Sequence, residues 1–198
     1  MTGPRLFANI KARVELARAL MAFRAGNWGE VVVCCERALA FNPRCFKAWV
    51  LKSGGHGGLG RYDLALDALE KALAIKPKDG DAWFKKGACL YFLKKVAGTE
   101  AAYNRALELS PKHWNAWHNK GSLMLELKRW EEAAHCYGTA LRIRPASLND
   151  IIGKGQALYE LKRYPESLEC CEAILRQNPR DAVALKNKGE CLRHIGRN

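Results

Sequence analysis

The sequence predicts an all-α protein, an α-solenoid of stacked helix pairs, and three observations carry that reading. Five prolines, Pro43, Pro77, Pro111, Pro145 and Pro179, recur every 34 residues. Within each period, apolar residues return twice in runs with the 3.6-residue spacing of an amphipathic helix. Between the two runs stands a short polar turn, Lys128-Arg129 in the fourth unit. A fixed period of this length marks a repeat architecture, because one helix pair cannot bury its apolar face alone whereas a stack of them can.

With the prolines at position 32 of a 34-residue unit, the chain divides into blocks 12–45, 46–79, 80–113, 114–147 and 148–181, followed by a half unit 182–198. Block 12–45 departs most from the others, with Glu15, Arg18 and Ala22 on its first helix, which is expected to begin early, near Pro4 or Leu6. Block 46–79 places Gly54, Gly55, Gly57 and Gly58 inside its first helix, each at about 1 kcal/mol relative to alanine. That helix is expected to bend or fray, leaving a bare stretch for a bulky ligand group or a hinge. Block 80–113 carries Trp83, Gly87 and Ala106; block 114–147 carries Trp117, Leu123, Met124 and Leu127, then Ala133, Tyr137, Ala140 and Leu141; block 148–181 carries Ile151, Gly155 and Tyr164. The half unit is read as a capping helix with a wetter face of Lys186, Asn187, Lys188, Glu190, Arg193 and His194.

Each proline closes its second helix, since it lacks an N–H donor and disfavours helical backbone in the residue before it. Small residues at positions 8, 20 and 27 let paired helices approach, and large ones at 4, 17 and 24 fill the remaining space. Position 7 is Lys52, Lys86, Lys120, Lys154 and Lys188, read as aliphatic stems on apolar surface with exposed ammonium groups.

Tryptophan at 4, glycine at 8, an aromatic near 24, alanine at 27 and proline at 32 resemble the tetratricopeptide repeat family over residues 12–198. The resemblance implies a right-handed superhelix, residues 1–198 forming one solenoid whose first helices line a concave surface through positions 2, 5, 6, 9, 12 and 13. Carried over, those positions give a peptide-binding set of Lys47, Phe84, Lys85, Tyr91, Asn115, His118, Asn119, Leu125, Asn149, Ile152, Gln156 and Tyr159. The amides suit a peptide backbone and the apolar residues suit its side chains. The lysine and asparagine clamp that some family members use for acidic C-terminal tails is missing: Asn119 is preceded by Phe84 and Ala88 and followed by Asn149 and Gly153.

The expected function is therefore a protein-interaction scaffold or adaptor that binds a protein or peptide ligand. A net charge of +13 motivates a second reading as a basic helical-repeat RNA binder, but no block exceeds +3, and the period is not that of the related base-reading repeats. Self-association through the repeat ends is a third reading. No apolar run approaches membrane-spanning length, and Arg5, Lys11, Arg13, Glu15 and Arg18 interrupt any leader-like core before Arg24, so no membrane insertion and a reducing cytoplasmic setting are expected.

The eight cysteines include no CxxC, and adjacent pairs such as Cys34-Cys35 point about 100° apart on a helix, so packing thiols are expected, with no metal. Gly55-His56-Gly57-Gly58-Leu59-Gly60 matches a dinucleotide fingerprint but falls at a helix end, not after a strand, so no cofactor is expected. No histidine stands in HExxH, and no nucleophile–base order is present, so the chain reads as a non-enzyme.

Overall fold

The structure, a computed structural model, describes residues 3–196, which form eleven α-helices and no strand. They group into two compact units, one running to Pro111 and the other from Lys112. The first unit holds α1 (Gly3–Arg24), α2 (Trp28–Phe41), α3 (Phe46–Gly58), α4 (Tyr62–Ile75), α5 (Gly80–Phe92) and α6 (Val96–Leu109). The second holds α7 (Trp114–Glu126), α8 (Trp130–Ile143), α9 (Leu148–Glu160), α10 (Tyr164–Gln177) and α11 (Ala182–Ile195). Within each unit every helix packs on the next in sequence, and the first helices of neighbouring blocks also touch, α1 with α3 and α7 with α9. Helix α1 begins ahead of Pro4, as its block's irregular start implies.

Repeated residues explain the repeated geometry. The indole Nε1 of Trp49 donates to the carbonyl of Pro43 at 2.8 Å, and Trp83 does the same to Pro77 at 2.8 Å. The tryptophan of one block thus ties down the proline turn that ends the block before it, which is why the two residue types share a period. Glycine at position 8 clears space for the tyrosine at position 24: a Cβ on Gly87 would lie 2.5 Å from the Tyr103 ring, and one on Gly121 would lie 3.0 Å from Tyr137. Both tyrosines are buried, as are the alanines at position 27 in the first four blocks.

The turn inside each helix pair needs one left-handed residue at position 15. Gly26 and Gly60 supply it at φ +71° and +72°, whereas Lys94, Lys128 and Lys162 adopt φ of 56–59° and bear the Cβ penalty. All eight cysteines lie outside disulfides, and seven are buried. Burial pushes the Cys35 thiol up to about 12 and those of Cys34, Cys89 and Cys171 up to about 11, so these remain protonated packing groups without nucleophilic character at neutral pH.

The glycine-rich helix differs from expectation. Helix α3 is continuous across Phe46–Gly58, and the space beside Gly54, Gly55 and Gly58 is already filled, while a Cβ on Gly57 would meet nothing within 4 Å. A Cβ on Gly54 would meet the Phe23 ring at 2.9 Å, and one on Gly58 would meet the Trp28 indole at 2.4 Å. Packing against the preceding helix pair offsets the low helix propensity of these residues, and two aromatic rings from this same chain take the room at Gly54 and Gly58, leaving it open at Gly57 alone.

Candidate functional site

In the second unit, α9 and α11 stand over α10 and leave an open cleft of about 420 Å³. Helix α9 contributes Ile152, Gln156 and Tyr159, which brings together three residues of the expected peptide-binding set. Helix α11 contributes Val183, Asn187 and Glu190, and α10 forms the floor with Ser167, Cys170, Cys171 and Ile174. Each lining residue arises from helical spacing: Ile152, Gln156 and Tyr159 lie four and three apart on one face. Ile152 and Val183 are 49% and 66% exposed, a high value for branched aliphatic side chains with a buried floor between them.

The polar groups of this cleft are acidic and amide in character. Asp181 caps α11 by accepting from the Ala184 amide at 2.9 Å, and Glu190 lies 3.9 Å from Lys186. No lysine or arginine lines the cleft. At its mouth the Tyr159 hydroxyl lies 3.4 Å from His194 Nε2, and the His194 ring stacks on Tyr164 at 4.3 Å. Desolvation, then the nearby Glu190 carboxylate, to which the hydroxyl donates, pushes Tyr159 upward from its ordinary value, so it keeps its proton.

Lys47 occupies a different setting, a cleft of about 480 Å³ in the first unit bounded by α1, the end of α2 and the start of α3. Ile10, Arg13, Leu16 and Cys45 line it with Lys47, and no carboxylate does. The remaining residues of the set in this unit belong to ring contacts within the chain. Phe84 stacks on Tyr103 at 6.1 Å, and Tyr91 packs edgewise on Phe92, which stacks on Tyr62 at 4.4 Å. Lys85 is half-buried between them in sequence.

Around α7, Asn115 and Asn149 are exposed, whereas Asn119 and Leu125 are half-buried. His118 is held by a residue that sequence reasoning passed over. Asp150 is fully buried, accepting from Trp114 Nε1 at 2.9 Å and pairing with His118 Nδ1 at 2.5 Å. The His118 ring also packs on Trp114 and edgewise on Tyr137, while Arg144 stacks over Trp114 at 4.2 Å. The signal was available: position 3 is alanine in Ala48, Ala82, Ala116 and Ala184, and only this block puts an acid there.

The position-7 lysines are also more tightly engaged than solvated ammonium groups. Lys52 pairs with Glu36 at 2.8 Å, Lys86 with Glu70 at 3.0 Å and Lys188 with Glu172 at 3.0 Å, in each case the glutamate at position 25 of the block before. Lys52, Lys86 and Lys120 additionally lie over the tryptophan of their own block at 5.3–6.0 Å. Among the described residues no group of three His, Cys, Asp or Glu side chains could hold a metal ion, and no helix is long and apolar enough to cross a membrane.

Comparison with known proteins agrees with the fold. Residues 56–113 and 152–198 match one family model of the tetratricopeptide repeat, and residues 102–135 match another. The solved structure of pilF from Pseudomonas aeruginosa aligns with a TM-score of 0.80 at 17% identity, covering 96% of this chain and 86% of that one. MamA aligns with a TM-score of 0.76 at 14% identity over 87% of this chain and 94% of its own. YrrB, described as a TPR protein with an unusual peptide-binding site, gives 0.72 at 18% identity over 88% and 90%. None of the curated proteins matches the chain in sequence.

Proposed function

The chain belongs to the tetratricopeptide repeat family, and from that premise we propose that it is an interaction module holding a peptide segment of a partner protein, with the cleft between α9 and α11 as its site. The observation that carries this reading is the pairing of exposed Ile152 and Val183 across an open cleft flanked by the amides of Gln156 and Asn187. Aliphatic side chains flank the opening, amides can bond an extended backbone, and Asp181 and Glu190 favour a positively charged neighbour. The preferred ligand is an apolar side chain next to a lysine or arginine. The peptide-binding description of YrrB is in keeping with this role.

Packing and hydrogen bonding occupy the thiols and the serine hydroxyl of the cleft floor. Its thiols on α10 are buried and pushed upward by desolvation, and Ser167 spends its hydroxyl on the Gly155 carbonyl at 3.0 Å. The test is selection of a displayed random peptide library on the intact chain, repeated with an Ile152→Arg/Val183→Arg variant. Enrichment of apolar-plus-basic sequences by the natural chain, lost in the variant, supports the site; identical enrichment by both, or none, refutes it.

A further inference from the structure

Helix α1 leaves uncovered a face that every comparable helix buries. Counting by block position, Val14 corresponds to Ala48, Ala82, Asp150 and Ala184, and Met21 to Gly55, Cys89, Ala157 and Cys191. Those eight residues are all buried, on first helices that pack against the second helix of the block before, through α2 with α3, α4 with α5, α8 with α9 and α10 with α11. On α1 the same positions carry large side chains open to solvent, with Met21 at 69% exposure.

The exposed face has its own order. Phe7, Ile10, Val14, Ala17 and Met21 follow a three–four spacing, the a and d pattern that accepts a partner helix as knobs into holes. The opposite side of α1, through Ala12, Ala19 and Ala22, is buried in the unit's own core. The stripe is therefore surplus to folding the first unit.

Charge decides what fits on it. In that register Lys11 and Arg18 take the e positions and Arg13 a g position, and no acidic residue takes either. Glu15 is turned inward, 13% exposed, and pairs with Arg18. The adjoining cleft adds Lys47 and again no carboxylate. A second copy would set Arg13 against Arg18 in a parallel pairing, or Lys11 against Arg18 in an antiparallel one, and like charges across such a seam are disfavoured. The a and d spacing suits a rod-shaped partner, with Leu20, 48% exposed, extending the stripe at the other g position. We infer that the outer face of α1 docks an amphipathic helix of a partner protein bearing apolar residues at a and d and glutamate or aspartate at the flanking positions. The docked helix takes the place that a preceding block's second helix takes elsewhere in the chain.

The test uses the full chain and two synthetic amphipathic helices with leucine at a and d, one with glutamate and one with lysine at e and g. Titration followed by backbone chemical shifts should show the acidic helix binding at α1 at least about tenfold more tightly than the basic one. A Lys11→Glu/Arg13→Glu variant should reverse the preference, and Met21→Asp should abolish binding of either helix. Far-ultraviolet dichroism of both variants checks that these exposed substitutions leave the fold intact. Equal affinity for the two helices, binding untouched by Met21→Asp, a concentration-dependent dimer lost in Met21→Asp, or partition onto phosphatidylserine vesicles without helix binding would each overturn the proposal.

Discussion

Removing His118 should cost more than removing the acid it holds, and the difference follows from which partner is buried. Asp150 is 0% exposed, whereas the His118 side chain is 25% exposed and Trp114 is half-buried. His118→Ala leaves a buried carboxylate with the indole N–H of Trp114 as its remaining side-chain donor, a loss of about 3–5 kcal/mol. Asp150→Ala instead strands two donors that water reaches, at about 1–3 kcal/mol, partly offset because alanine already packs at this position in other blocks. In the Asp150→Ala background, a further His118→Ala change then removes only ring packing on Trp114 and Tyr137. Native-state hydrogen exchange of the α7 and α9 amides measures this in the intact chain without assuming that both units unfold together. At a factor of ten per about 1.4 kcal/mol, His118→Ala should speed exchange by two orders of magnitude or more, and Asp150→Ala by about one. Strict additivity in the double variant, or a larger effect from Asp150→Ala than from His118→Ala, would refute the assignment of a buried, donor-dependent carboxylate.

Other consequences are independent of that pair. Gly153→Ala places a methyl 2.4 Å from the ring of buried Tyr137 and should destabilise the second unit by about 1–3 kcal/mol, whereas Gly189→Ala meets nothing within 4 Å and should stabilise α11 by about 0.5–1 kcal/mol; thermal unfolding ranks the two. Lys128→Gly, at φ 56°, exchanges the left-handed penalty for glycine's smaller entropic one, with a gain of about 0.5–1 kcal/mol by urea titration. His56 is buried, its Nδ1 lacks a partner, and desolvation pulls it below its ordinary 6.5. The unfolded chain therefore binds that proton more tightly, so this contribution to stability is intact above about pH 6.5 and declines as pH falls below it. His56→Leu should flatten that decline, and an unchanged acid slope would count against the burial argument.

Most of the fold was legible because a solenoid repeats its solution. In both units each period-setting proline stands two residues past the last residue of a second helix, and the block boundaries at 46, 80, 114, 148 and 182 fall on the first residue of a first helix. What a repeat pattern conceals is the partner of each conserved type. Trp49 and Pro43 were both visible as periodic residues, yet the indole-to-carbonyl bond joining them needs the turn geometry. The lysines at position 7 were read as solvated because helix spacing says nothing about position 25 of the block before, where Glu36, Glu70 and Glu172 stand. The glycines of α3 were misread for the opposite reason. Propensity is local, and the rings of Phe23 and Trp28 that fill the space beside Gly54 and Gly58 come from another helix pair.

The candidate sites lie where a block departs from its siblings, and this has a physical cause. A residue shared by all blocks solves a problem that all share, namely stacking, whereas a departure survives only if its own surroundings compensate it. Asp150 stands where alanine is the rule and is compensated by two donors. Val183 puts an exposed aliphatic side chain where its siblings carry Arg13, Lys47, Asp81, Asn115 and Asn149, and it faces Ile152, itself 49% exposed, across a cleft that leaves both open. Val14 and Met21 enlarge positions that are small or covered elsewhere, again without cover. Departures that the chain compensates are structural; the two it leaves open are the surfaces proposed above for a second molecule, and they differ in charge: cationic around the α1 stripe, anionic around the α9–α11 cleft. That difference predicts that the two surfaces select opposite ligands, so one peptide should not compete for both. Competition between the acidic helix and an apolar-plus-basic peptide would show that this division of labour is wrong.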